Sequence, residues 1–160
     1  RRQRQMCIRD RYIAKLKPKC KCIRCREIGT NVTKKKAKLY CQIYKASSGT
    51  EFFISYETKA HLLGFCRMRF PSKNLRHEIT EKSALIRELH VYGEAISIGK
   101  KDKFSMQHKG IGKRLLEHAE KIASERGKNR IVVISGIGAR DYYRKRGYRK
   151  LGVYMVKHLP

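Results

Sequence analysis

The feature that most constrains this chain is a glycine-bearing turn, Gln107-His108-Lys109-Gly110-Ile111-Gly112, that runs directly into an apolar-periodic segment from Lys113 to Arg126. Ile111, Leu115, Ala119, Ile122 and Ala123 recur on one face, so the segment predicts an amphipathic helix stopped by Gly127. The β-branched run Ile131 to Ser135 that follows predicts a strand buried on both sides. Gly110 and Gly112 allow backbone angles closed to other residues, so successive N–H groups can converge where the helix dipole is positive. Such a turn cradles an anion, and a pyrophosphate fits it. The plain alternative is an ordinary strand-to-helix loop.

Two nucleotide-binding motifs can be excluded. A P-loop requires Ser or Thr after Gly-Lys, but Gly112-Lys113 precedes Arg114; a dinucleotide fingerprint requires Gly where Leu115 stands. Upstream, short alternating apolar segments separated by turns predict antiparallel strands over Leu39 to Lys45, Glu51 to Glu57, Leu62 to Phe70 and Ser83 to Tyr92. Downstream, Ala139 to Arg146 suits a short helix closed by Gly147, and Tyr148 to His158 a last strand. The order predicts an α+β or mixed α/β fold, with helices on the faces of one sheet. The expected division is a basic segment over 1–37 and a folded domain over 38–160.

Charge narrows the partners. Forty Lys and Arg against thirteen Asp and Glu give a net charge of +27, and residues 1–38 carry fifteen of those bases against Asp10 and Glu27. A chain so basic is suited to a polyanion, with nucleic acid the first candidate. No apolar run approaches membrane-spanning length and no signal peptide precedes the strands, so the expectation is no membrane and a cytoplasmic location. Cys20, Cys22 and Cys25 cluster in a C-x-C-x-x-C pattern. In such a compartment this spacing points to thiols or a metal, supplying three corners of a tetrahedral zinc site with Cys7 or an outside His as the fourth.

The turn matches Gln-x-x-Gly-x-Gly, the acyl-CoA pyrophosphate loop of the GCN5-related N-acetyltransferases, and the order of elements around it resembles theirs. More narrowly, five blocks in order resemble the C-terminal part of the Elongator catalytic subunit, the tRNA uridine(34) acetyltransferase family. They are Cys20 to Glu27 with its three cysteines, Arg87 to Gly93, Gln107 to Gly112, Gly136 to Lys145, and Gly147-Tyr148. The resemblance covers about residues 18–157. It implies a GCN5-related fold, a mostly antiparallel sheet with helices on both faces, preceded by a basic cysteine-containing segment. It further implies acetyl-CoA as substrate, tRNA as partner, and a zinc site shared with a preceding radical S-adenosylmethionine domain. That domain's C-x-x-x-C-x-x-C cluster motif is absent from this chain, which begins at Arg1 rather than Met and reads as a fragment, so iron-sulfur cluster and S-adenosylmethionine belong to the part outside it. An oligomer or complex subunits are also expected partners.

In that family the strand before the loop splays from its neighbour and pairs with the pantetheine arm. The expected cofactor contacts are therefore Leu89, His90 and Val91 on the strand, Gln107, His108, Lys109, Gly110, Ile111 and Gly112 in the loop, and Tyr142 and Tyr143. Acyl transfer from a thioester needs an acid for the departing thiolate, and a tyrosine hydroxyl suits that role. One of Tyr142 and Tyr143 is expected to reach the sulfur while the other packs; the bland alternative is that both pack. Glu88 and His90 share a strand face and are the candidate bases. Cys20, Cys22 and Cys25 are the candidate metal ligands. Two other functions fit the chain: a protein lysine acetyltransferase, and a zinc-supported RNA-binding module without turnover.

Overall fold

Lys38–Ala46 (β1) and Gly49–Glu57 (β2) form a hairpin closed by Ser47 and Ser48, both at positive φ (46° and 60°). Paired positive angles give a two-residue turn whose twist matches that of the strands. Leu62–Phe70 (β3) and Ser83–Val91 (β4) extend the sheet antiparallel. A single helical turn, Ile23–Arg26 (α1), precedes the strands, and Ile111–Glu125 (α2) follows β4. The chain then re-enters as Arg130–Val133 (β5), beside β4 and parallel to it. Ile137–Ala139 makes a 3-10 turn into Arg140–Arg144 (α3), and Arg149–Leu151 (β6) and Tyr154–His158 (β7) complete the sheet. The computed structural model describes residues 15, 22–28, 36–92 and 110–160.

The seven strands among the described residues lie in the order β1-β2-β3-β4-β5-β7-β6, antiparallel everywhere except β4 against β5. The mostly antiparallel sheet expected from the sequence is therefore present. Its main core lies on one face, where Ile111, Leu115, Leu116, Ala119 and Ala123 of α2 pack on Phe52, Ile54, Cys66, Met68, Ala84 and Ile86. Burying side chains of this size contributes roughly 1.5–3 kcal/mol for each large one. Ile28, within the basic segment expected over 1–37, is fully buried in the same core. On the other face α1 sets Arg26 against Glu57, so the described helices cover both faces.

Two elements differ from the sequence expectation. The last strand is two strands, β6 and β7, joined by a turn at Gly152 (φ 58°). All three residues of β6 are exposed, so no apolar alternation marks it as a strand. The short helix is divided into a 3-10 turn and α3, because Ala139 N–H bonds Gly136 O and tightens its entry.

Candidate active site

The site begins at an irregularity in β4. Met68 lies opposite Ile86 but Arg67 lies opposite Glu88, so Arg87 is an extra residue, a β-bulge. Pairing between β4 and β5 stops at the same place, with Ile86 opposite Val133 and Ile134 N–H bonded to Ile86 O. Beyond it β4 keeps β3 on one edge and, among the described residues, has no strand on the other. Tyr92 N–H bonds Leu63 O on the β3 side, so by alternation the N–H and C=O of Leu89 and Val91 point to the open edge. Without the bulge, the groups on that edge would have been those of Glu88 and His90. The splayed strand implied by the resemblance is thus present, and one inserted residue decides which backbone groups it offers.

A cleft of roughly 440 Å³ runs along this edge, lined by Leu89, Val91, Gly110, Gly112, Lys113, Ala139, Tyr142, Tyr143 and Arg146. Its end wall is the start of α2. Gly110 caps that helix at φ 98° with no side-chain cap, which leaves the first-turn N–H groups without intrahelical partners. Among the described residues, Lys113 and Arg146 are the charged side chains of the lining, and no carboxylate lines it. Open N–H groups, a helix dipole and two cations together favour an anionic ligand.

Tyr142 faces this wall. A methyl group on Gly112 would stand 2.8 Å from the Tyr142 hydroxyl and 3.4 Å from Val91 Cγ2, so the absent side chain lets the phenol reach the helix. The hydroxyl is buried and has no hydrogen-bond partner among the described residues. Arg146 lies over the ring with Cζ 3.5 Å from its centroid and donates to the Tyr142 carbonyl at 2.7 Å. Burial pushes the Tyr142 phenol up, Arg146 opposes that shift, and the group stays protonated at neutral pH. A protonated, unpartnered hydroxyl in a cationic cleft can donate to an atom that becomes negative.

Tyr143 is packed into the core. It is 6 % exposed, meets Tyr142 and Tyr148 edge to face at 5.2 and 5.5 Å, and burial pushes its phenol up to about 12. Glu88 and His90 do not line the cleft. The bulge turns them to the face away from α2, where Glu88 stands 3.6 Å from Arg67 and His90 stacks on Phe65 at 5.9 Å. Gln107, His108, Lys109 and Cys20 lie outside the described residues. Cys22 and Cys25 are exposed at the start and within α1, and no three metal-binding side chains gather among the described residues. Sequence reasoning places Arg146 in a basic stripe with Arg140, Arg144 and Lys145 leading to the thioester, and misses its contact with Tyr142. Its spacing of four from Tyr142, one turn along, is the signal that could have found it.

No helix among the described residues is long and apolar enough to cross a membrane. Residues 25–148 match the family model described as "Acetyltransferase (GNAT) family". A tRNA uridine(34) acetyltransferase of Methanocaldococcus jannaschii is 48% identical over 160 residues, spanning 93% of this chain and 30% of that protein. Elongator complex protein 3 of Homo sapiens is 40% identical over 165 residues, spanning 95% of this chain and 30% of that protein. The solved structure of Methanocaldococcus infernus Elp3 with an N-terminal deletion superposes with a TM-score of 0.79 at 42% identity, spanning 93% of this chain and 38% of that one. This chain therefore spans less than a third of the two curated relatives' length. The splayed strand, the glycine-opened helix and the match over residues 25–148 agree: the chain belongs to the GNAT acetyltransferase family.

Proposed function

We propose that this chain is the acetyl-CoA-binding and acetyl-CoA-cleaving part of an Elongator-type tRNA-modifying enzyme. The observation that carries the reading is the buried, unpartnered Tyr142 hydroxyl placed against Gly112 at the end of an open strand edge. The two amides of a pantetheine arm are suited to pair with the free backbone groups of Leu89 and Val91. The pyrophosphate belongs at the N-terminus of α2, near Gly110, Gly112 and Lys113, joined by Gln107, His108 and Lys109.

In this reading the thioester carbonyl lies next to the β4 bulge. Attack on that carbon breaks the C–S bond, and the Tyr142 hydroxyl gives its proton to the departing sulfur and regains one from water. With water as acceptor, the products are acetate and the free thiol. In the complete enzyme a preceding radical S-adenosylmethionine domain would supply the chemistry that joins the two-carbon unit to C5 of the wobble uridine. Arg146 is a positioning residue that holds the phenol ring and limits the rise of its pKa. Among the described residues the cleft lining carries no carboxylate base for an amine, which favours this reading over peptide-lysine acetylation.

The same proposal assigns residues 1–37 as a basic segment and 38–160 as the acetyl-CoA domain of a cytoplasmic enzyme. Zinc would be held by Cys20, Cys22 and Cys25 with a fourth ligand outside the described residues. Cys22 and Cys25 fit two of those positions, being exposed and three residues apart on one helical turn. Such a metal would be structural; zinc content of the purified chain, lowered by Cys25→Ser, checks it.

The main test is acetyl-CoA binding followed by turnover. At a concentration a hundredfold above Kd the ligand stabilises the fold by about 2.7 kcal/mol, a rise in Tm of roughly 5–11 °C. Tyr142→Phe should keep that shift and lower thioester cleavage in the presence of tRNA about 10²-fold. No thermal shift, or an equally active Phe variant, would sink the proposal.

A further inference from the structure

The face of the sheet opposite α2 carries a feature that acetyl-CoA chemistry does not use. Residues directly opposite in an antiparallel pair share a face, and the register sets Gln42 opposite Phe53, Ser55 opposite Phe65, and Phe65 opposite His90. Their rings form a ladder. Phe53 stacks on Phe65 at 5.3 Å, Phe65 on His90 at 5.9 Å, and His90 meets Tyr92 at 4.5 Å. Phe65 is itself buried, 3% exposed, and the accessible rings flank it: Tyr40 and Tyr44 on the same face of β1 are 49% and 44% exposed, and His90 is exposed at the β4 end. Beside the tyrosines a groove of roughly 530 Å³ is lined by Gln42, Tyr44 and Phe53 together with Arg24 and Arg26 of α1.

Around the ladder stand five guanidinium groups, of Arg24, Arg26, Arg67, Arg69 and Arg87, and four carboxylates, of Glu27, Glu51, Glu57 and Glu88, with Glu27 acting on Tyr92 at the ladder's end. Three carboxylates stand on the strands of this face, and arginines hold all of them: Arg26 on Glu57, Arg69 and Arg87 on Glu51, and Arg67 on Glu88. A polyanion laid across the face meets a small surplus of guanidinium groups and no unpaired strand carboxylate. Exposed tyrosines supply flat surfaces on which bases of any identity stack. A paired RNA helix hides its base faces, so such a platform selects unpaired nucleotides. The ladder passes through His90, on the strand whose Leu89 and Val91 line the cleft from the opposite face, and ends at Tyr92.

We propose that the outer face of β1–β4, from Tyr40 and Tyr44 to His90, is a stacking platform for unpaired nucleotides of RNA that leads a nucleoside toward the acyl group. The inference rests on the tRNA reading above for its direction, not for its contacts. Attraction to phosphate by itself would give affinity indifferent to pairing; stacking on the tyrosines distinguishes an open loop from a duplex.

The test is binding of an RNA hairpin with an unpaired loop, compared with the same strand annealed to its full complement, using the 160-residue chain. Tyr40→Ala and Tyr44→Ala act on exposed rings outside the cleft, and Ile43→Ala, 50% exposed on the opposite face of the same strand, is the control. Tyr44→Ala should weaken hairpin binding at least about 5-fold. It should leave duplex binding and the salt dependence of both unchanged, and Tyr44→Phe should restore the affinity. The inference is overturned by no hairpin binding, by equal losses for hairpin and duplex, by an equal loss in Ile43→Ala, or by tyrosine variants without effect, the last marking this face as a protein contact or bare surface. The acetyl-CoA thermal shift is read on the same samples. Its loss in wild-type protein refutes the cofactor reading alone, while its persistence in Tyr44→Ala shows the fold intact.

Discussion

Gly112→Ala separates folding from catalysis at this site. Gly112 lies outside the positive-φ glycines, in the first turn of α2, so alanine meets no backbone strain there and gains up to about 1 kcal/mol of helix propensity. Its new methyl group would stand 2.8 Å from the Tyr142 hydroxyl, about 1 Å inside a comfortable contact. The phenol cannot swing aside freely, because Arg146 covers one face of its ring and Tyr143 meets it edge to face. The hydroxyl is therefore displaced by about 1 Å, a shift that costs on the order of 10²-fold when the group must meet a reacting atom. The assay is thioester cleavage with tRNA present, alongside thermal unfolding of the same protein. We expect Tm within a few degrees of wild type and turnover reduced about 10²-fold. The partner substitution Gly110→Ala should do the reverse: φ is 98°, nothing lies within 4 Å, and the cost is about 1–2 kcal/mol of stability with Tyr142 undisturbed. Full activity in Gly112→Ala, or its unfolding, would refute the placement of the hydroxyl.

Other outcomes follow from the charges and phenols. Tyr142 must be protonated to donate, and burial holds its pKa above the usual 10, so cleavage should stay flat through neutral pH and fall only on the alkaline side of 10. The same sign governs stability. Tyr143, pushed up to about 12, keeps its proton in the fold after the unfolded chain has released it, so unfolding free energy should decline between pH 10 and 12, read by denaturant titration at fixed salt. Glu51 is 2% exposed and holds Arg69 at 2.6 Å and Arg87 at 3.1 Å; Glu51→Ala leaves two guanidinium groups without it, and should lower stability by about 3 kcal/mol, a fall in Tm on the order of 10 °C. An unchanged Tm would mean that water replaces the carboxylate at no cost.

Much of the fold was legible because its signals are local. Leu62–Phe70 was read with both ends as observed, and β1, β2 and β4 within one or two residues, because apolar alternation and turn residues mark them directly. The helix face expected at Ile111, Leu115, Ala119 and Ala123 is buried as read, with Leu116 added and Ile122 only partly covered. The split of the last strand was not legible, since exposed edge residues carry no alternation to read. Within the site, the sequence pointed to Leu89, Val91 and the adjacent tyrosines as candidates, and the structure brings Leu89, Val91, Tyr142 and Tyr143 together along one cleft. The sides taken by Glu88 and His90 were not foreseen. Counting alternate residues along β4 puts them with Ile86, and one extra residue at Arg87 reverses that assignment.

The sequence by itself determined the order of elements, the glycine-opened helix, the family, and the basic character that points to a polyanion. These follow from short-range patterns: periodicity, turn chemistry and a motif within six consecutive residues. Tertiary structure decided which backbone groups of β4 are free, that Tyr142 rather than Tyr143 presents a hydroxyl, that Arg146 lies on its ring, and that aromatic side chains from four strands share one face. Each of these depends on register between segments far apart in the chain. A one-residue slip moves a side chain to the opposite face without changing any local pattern, so only the assembled sheet can fix it.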